Sequence, residues 1–374
     1  MTILDRYVLK KFLVPFLYCF LGFIAIWLVF DLSDNGPDFI NGKAPLRTVL
    51  EFYMSQIPEI VVISLPVGTL LALLYSLTQM SRSNEIISML GSGRSVVRVL
   101  LPLFGVGLLL VGVTAFFNYE GAPHAAKTKK EMLKEINSGK KREQTLSGHL
   151  FRNREDSRTW YMRKLKPAEN AIDDVQILQQ DREGVVQKIW YARDAYYNEA
   201  NRTWTLQHAR VIDVDRNGEI LLIENHSELQ IKDWSETPWR IGSSTMNPDY
   251  LSVPELREYL AKNSDFPESR LAPYRTHLEY RWALPWVCIL VVFLAAPMGI
   301  VYSRRGILGG VAVAITLFFL LVFVSSLFIA LGKGGRLPPV VAAWAPLVFF
   351  TIIGCVLLWF RSSNRDIPIP KLFG

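Results

Sequence analysis

Charge is missing from six long stretches of this 374-residue chain, and cysteine is missing from everything between them. The stretches run Phe12 to Phe30, Ile60 to Met80, Val99 to Tyr119, Trp282 to Tyr302, Gly306 to Gly332 and Leu337 to Phe360. Each approaches or exceeds the ~20 residues that cross a bilayer, which excludes an ordinary soluble protein. Cys19, Cys288 and Cys355 all fall inside these runs, where a thiol behaves as a small hydrophobe. The polar middle must therefore be held by a core rather than by disulfides.

Other absences narrow the chemistry. The histidines at 124, 149, 208, 226 and 277 show no metal-ligand spacing, so no metal is expected. There is no Gly-x-x-x-x-Gly-Lys-Ser/Thr loop and no nucleophile elbow, and Ser138-Gly139-Lys140-Lys141 lacks the upstream glycine of a phosphate loop. No carboxylate or histidine sits mid-span, where a proton relay would need one. The chain is expected to be non-catalytic, without a cofactor of its own, so transport work would draw on a separate subunit. The first apolar run is too long for a cleavable signal and lacks a small-residue cleavage site, so it reads as a retained anchor.

What is present is half hydrophobic by count, with a formal net charge of +7, a mean hydropathy of +0.21 and a pI near 9.2. The basic residues sit where orientation would place them, which removes the case for nucleic acid. Arg6, Lys10 and Lys11 precede the first run; Arg82, Arg94 and Arg98 lie between the second and third; Arg304 and Arg305 lie between the fourth and fifth; Arg361, Arg365 and Lys371 follow the last. Retention of short basic loops on the cytoplasmic side makes both termini cytoplasmic. It leaves residues 31–59, 118–281 and 333–336 outside.

The long external segment opens on a helical pattern from Ala125 to Asn137, with Lys127, Lys129, Lys130 and Lys134 exposed. It then turns to short strands at Thr159–Arg163, Val175–Gln179, Val185–Tyr191, Thr203–Leu206, Ala209–Val214, Glu219–Ile223 and Glu228–Trp234. Turn signals at residues 182–184, 198–201 and Asn217-Gly218 separate them. That spacing predicts a sandwich, a jelly roll or a related all-β module. Trp160, Trp190, Tyr191, Trp204 and Trp234 are expected mainly in its core. Residues 251–262 read as helix, and residues 268–280 lead the chain back into the membrane.

Between the second and third runs lies Ser81-Arg82-Ser83-Asn84-Glu85-Ile86-Ile87-Ser88-Met89-Leu90-Gly91-Ser92-Gly93-Arg94. Ser81 or Ser83 is expected to cap a helix of about two turns, Glu85 to sit in its first turn, and Gly91 to end it in the left-handed conformation. Its apolar side, Ile86, Ile87, Met89 and Leu90, would rest either in a protein groove or on lipid headgroups. Gly306, Gly310 and Ala314 share one face of the fifth run, a close-approach surface inside the bundle or between two copies.

These segments together resemble the LptF/LptG permease family of the lipopolysaccharide-exporting ABC transporter. The resemblance is carried by Leu4-Asp5-Arg6-Tyr7-Val8-Leu9-Lys10, by the loop 81–94, by Arg281-Trp282-Ala283-Leu284-Pro285 through Ala296-Pro297-Met298-Gly299 to Arg304-Arg305-Gly306, and by the stretch 337–346. It implies an α-helical bundle of six transmembrane helices, three and three, with an inserted periplasmic all-β, jelly-roll-like domain. The divisions would be 1–120, 121–280 and 281–374. It also implies a multi-pass protein of the bacterial inner membrane. The expected partners are a cytoplasmic LptB-like ATPase that binds the ATP, a second permease of the family, LptC-like and LptA-like periplasmic β-sheet proteins, and lipopolysaccharide.

In that frame loop 81–94 is the coupling helix. Arg82, Glu85, Ile86, Ile87, Leu90, Gly91 and Arg94 would face the ATPase, with Glu85 paired to a basic residue. The 306/310/314 face would form the seam with the second permease. Phe20, Phe23 and Trp27 on the first span, with Phe318, Phe319 and Phe323 on the fifth, would contact acyl chains. In G-type members basic residues follow the first span directly. Here Asp31, Asp34 and Asp38 come first and Lys43 and Arg47 later, so the type stays open. A membrane-anchored sensor or scaffold would use the same layout without an ATPase.

Overall fold

The computed structural model describes residues 2–138, 146–153, 156–166, 169–181, 183–243, 247–264, 266–300 and 307–363. The chain divides into two compact units. One comprises Met1–Gly139, Pro248–Leu256 and Glu268–Gly374; the other comprises Lys140–Asn247 and Arg257–Pro267. Against the expected divisions at 120 and 280, the helical stretches on both flanks of the sheet side with the first unit.

The first unit is helical. Its long elements are α1 (Ile3–Asn41), α2 (Leu46–Arg82), α4 (Val96–Phe116), α5 (Ala122–Ser138), α8 (Glu268–Ala283), α9 (Val287–Gly299), α10 (Ile307–Lys333) and α11 (Pro339–Ser362). Short α3 (Glu85–Gly91) joins α2 to α4. Among the described residues six helical segments are long and apolar enough to cross a membrane: Ile3–Asn41, Leu46–Arg82, Val96–Ile136, Glu268–Gly299, Gly309–Lys333 and Pro339–Ser362. The chain is a multi-pass membrane protein with three such helices on each side of the sheet.

α1 and α2 outrun the apolar stretches that announced them. The expected external loop 31–59 is continuous helix apart from residues 42–45, because α1 carries through Pro37 to Asn41 and α2 starts at Leu46. α4 and α5 are joined through a single π-helical turn, Phe117–Gly121. A Cβ on Gly121 would stand 2.9 Å from Pro58 Cβ, so the turn lies directly on α2.

Small residues set the close crossings. A Cβ on Gly107 would meet Val292 Cγ2 at 2.9 Å, and one on Gly354 would meet Phe293 Cβ at 2.7 Å. Without a hydrophobic drive between helices in lipid, such backbone approach is where packing energy is gained. The C-terminal end of α9 is finished by side chains from two neighbours: Ser81 Oγ donates to Gly299 O at 3.1 Å and Arg361 Nε to Pro297 O at 3.1 Å. Both satisfy carbonyls that a helix end leaves without partners.

The second unit holds one antiparallel sheet whose strands follow chain order: β1 (Leu146–Asn153), β2 (Arg158–Lys166), β3 (Ala171–Gln180), β4 (Val186–Asn198), β5 (Thr203–Val214) and β6 (Ile220–Lys232). The all-β insertion is therefore a sequential meander. Two pairs of expected short strands are single long ones, β5 and β6, and β1 had no counterpart in the sequence reading.

The reason lies in one transverse rank of the sheet. Gly148, Arg163, Asp174, Arg193, His208 and Ser227 stand opposite one another in register, and every ladder skips its pairing there. Three of the six, on alternate strands, are left-handed: Gly148 at φ 65°, Asp174 at φ 49° and His208 at φ 52°. The buried alternation slips by one residue across the rank. Trp160 and Met162 precede it and Leu165 follows on β2; Ile172 precedes it and Val175 and Ile177 follow on β3; Trp204 and Leu206 precede it and Ala209 and Val211 follow on β5. A crease thus crosses the strands while the same face stays inward.

Trp160 and Trp204 are fully buried with ring centroids 5.1 Å apart, and Trp234 stacks edge-on to Trp160. Tyr191 is exposed, unlike its tryptophan neighbours. A charged knot closes the sheet beside them. Glu236, fully buried, receives bonds from Arg158 Nε at 2.9 Å, Arg158 Nη2 at 3.0 Å and Asn153 Nδ2 at 2.8 Å. Such fork-on-carboxylate geometry is what makes burying the charge tolerable.

Candidate functional site: the α3 helix and its anchorage

α3 begins without the expected serine cap. Ser81 and Ser83 turn their hydroxyls elsewhere, to Gly299 O and Gln79 O, and the N-cap is Asn84 in the left-handed conformation at φ 60°. The left-handed stop is Gly93, at φ 86°, rather than Gly91, which is the last helical residue. The helix is thus set between two left-handed turns, each tolerated by a residue type suited to it.

Its apolar side points into its own bundle. Ile86 is 1% exposed and Met89 8%, and both pack in the cluster that holds Phe12, Leu77, Met80, Val96, Leu100 and Ala296. Leu90 packs at the edge of the same cluster. Ile86 therefore does not have the outward role expected of it: α3 lies across the ends of α2 and α4, and the core there takes the side chain in. Ile87 stays exposed at 43%. Arg82 and Gly91 are exposed and Arg94 is half-buried.

Glu85 is the one acidic residue of the helix, and it is already engaged. Tyr7 Oη donates to Glu85 Oε2 at 3.0 Å, and Lys11 Nζ lies 3.7 Å from Glu85 Oε1. The same lysine sits 5.4 Å over the Tyr7 ring. Tyr7 and Lys11 are one helical turn apart on α1, so a single face of that helix grips the carboxylate. In the sequence Lys11 signals only orientation, and Tyr7 carries no sign of this contact. No local pattern could have joined them, since 78 residues separate Tyr7 from Glu85.

The remaining expected residues scatter. On α1, Phe20 stacks on Phe16 at 5.7 Å and packs toward Leu65 and Leu110, while Phe23 and Trp27 are half-buried. Lys129 of α5 stands 5.4 Å over the Trp27 ring and pairs with buried Asp31, so it is not the exposed lysine expected. On α10, Phe318 is buried in the bundle at 7%, whereas Phe319 and Phe323 are each 66% exposed. Gly310 is buried and Ala314 fully so, within the bundle's own cluster. Gly306 lies outside the described residues, as do Arg304, Arg305, Arg365, Lys371 and the turn residue Arg182.

A second polar cluster ties α8 and α10 to the segment before α7 (Val253–Lys262). Asp249 Oδ1 lies 2.6 Å from His277 Nε2 and accepts from Lys333 Nζ at 3.1 Å, and Arg281 Nη2 donates to Asp249 O at 2.6 Å. The imidazole of His277, then the Lys333 ammonium, hold the Asp249 carboxyl well below the usual carboxylate range. Arg281 also donates to Asn118 Oδ1 at 3.1 Å, and Asn118 Nδ2 donates to Arg281 O at 2.7 Å. No metal-binding group occurs among the described residues.

No curated protein matches the chain. Residues 6–360 match the family described as "Lipopolysaccharide export system permease LptF/LptG", which takes in all six spans, the sheet and α3. With nearly the whole length matched, the chain belongs to the LptF/LptG family of lipopolysaccharide export permeases.

Proposed function

We propose that the chain is the transmembrane subunit of an ABC exporter, lying in the bacterial inner membrane with both termini and α3 in the cytoplasm and the sheet in the periplasm. Arg6, Lys10, Lys11, Arg82, Arg94 and Arg98 gather at the α3 end and support that orientation. An LptB-like ATPase binds the nucleotide and docks on α3. A second permease of the family completes the lipid path. Phe319 and Phe323 would meet acyl chains, a role their exposure on α10 supports.

The observation that carries this reading is the anchorage of α3. A helix of seven residues stands on the bundle through Ile86 and Met89 and offers Ile87 and the flank of Glu85 outward. A push on it is passed to α2, α4 and α9 as a rigid displacement, the kind of interface movement by which nucleotide closure drives distant elements.

Hand-over of the glycolipid falls to LptC-like and LptA-like β-sheet proteins, for which β6 offers a port. It is an edge strand 13 residues long, and Ile220, Leu221, Leu222 and Ile223 are 41–68% exposed on both its faces. An unpaired apolar edge is a template for an added strand.

Glu85→Arg tests the reading. Co-purification of an ATPase is expected to fall at least tenfold, about 1.4 kcal/mol or more, with loss of growth. Tyr7→Phe, which frees the carboxylate without removing it, is expected to keep the association. Unchanged association in Glu85→Arg overturns the reading.

A further inference from the structure

Between α1 and α2, at the end of the bundle that carries α3, lies an open groove of about 650 Å³. Its walls include Tyr7, Lys10 and Lys11 at the polar end, then Tyr18, Tyr75 and Gln79, over an apolar floor. Tyr18 is 72% exposed and Tyr75 58%, so both rings stand at the surface of membrane-spanning helices rather than in the core. Two ammonium groups and the Tyr7 phenol at one end, with an apolar trough beyond them, form a site divided in the same way as a phospholipid: a charged head, then hydrocarbon.

We propose that this groove binds one anionic phospholipid, its phosphate on Lys10 and Lys11 with the Tyr7 hydroxyl beside it, and an acyl chain along Val14 and Tyr18 toward Tyr75. Basic pockets between membrane helices select anionic head groups by the same means, and tyrosine fits the boundary where one end is wet and the other apolar. The charges are complementary: Lys10 is exposed, and Lys11, though it faces Glu85 at 3.7 Å, is itself more than a third exposed. A lipid phosphate would draw Lys11 from Glu85, so occupancy of the groove and the state of the α3 carboxylate are linked.

The test is native mass spectrometry of the full-length protein, with whatever subunits co-purify, after exchange into phosphatidylglycerol or phosphatidylcholine. Wild type is expected to retain phosphatidylglycerol at least fivefold better, a comparison that needs no variant. Lys10→Gln combined with Lys11→Gln is expected to abolish the preference while leaving the melting temperature in place. Equal retention of the two lipids by wild type, or a preference that survives in the double variant, overturns the proposal. Exclusion of both lipids, as when a protein segment fills the groove, overturns it too. None of these readouts depends on an ATPase, so they stand apart from the Glu85 experiment.

Discussion

Two carboxylates show how differently a charge can be held in this chain. Glu236 is sealed in the sheet unit by Arg158 and Asn153. Removing Glu236 leaves the largely buried Arg158 with Asp156 as its remaining carboxylate, at a cost toward the lower end of the ~3–5 kcal/mol that breaking a buried ion pair takes. Glu236→Ala is expected to unfold the sheet unit at ordinary temperature, read as rapid proteolysis of residues 146–243 with the helices intact. Asp249 is half-buried, and its lowered pKa gives its contribution a pH dependence with a definite sign. The stability it supplies is fully present above the ordinary value of 3.8 and is lost as pH falls through its folded value. The melting gap between wild type and Asp249→Asn should therefore hold steady from pH 7 to about 4 and close below that. Neither role could be read from the sequence, because Arg158 and Glu236 stand 78 positions apart and Asp249 and Lys333 stand 84 apart.

At the scale of elements, the six spans were legible because a charge-free run of ~20 residues has few other uses. Their ends were not. α1 continues through Asp31, Asp34 and Pro37, where hydropathy stops but backbone hydrogen bonding does not. The strands failed for a related reason. Period-2 alternation identifies a strand, and at His208 it slips by one, so β5 reads as two separate short strands. α3 was found by its spacing, yet Ile86 was assigned to a partner because an apolar side chain does not say which neighbour covers it. Crossings of helices are equally invisible until backbones meet. Gly354→Ala, which puts a methyl 2.7 Å from Phe293 Cβ, is expected to cost ~1–3 kcal/mol as a lowered melting temperature of the solubilised protein.

At the scale of the whole molecule, the order of three spans, a sheet and three spans is what the sequence conveyed best, since it rests on composition rather than on contacts. The edges of the sheet came only from the structure. β6 runs along its full length without a neighbour on one side among the described strands. Leu221→Lys with Ile223→Lys is expected to reduce recovery of a β-sheet partner at least tenfold in pull-down, and to leave the fold unchanged because both side chains are already exposed. Unaltered recovery would place that partner elsewhere.

The rank from Gly148 to Ser227 bears on how this sheet yields under load. Along that line the six backbones pass side by side without the ladder pairing that stiffens them above and below. Changing the angle between the two panels costs a few torsions there and spares the bonded rows on either side. The sheet is accordingly compliant in one direction and stiff in the other, like card scored across its grain.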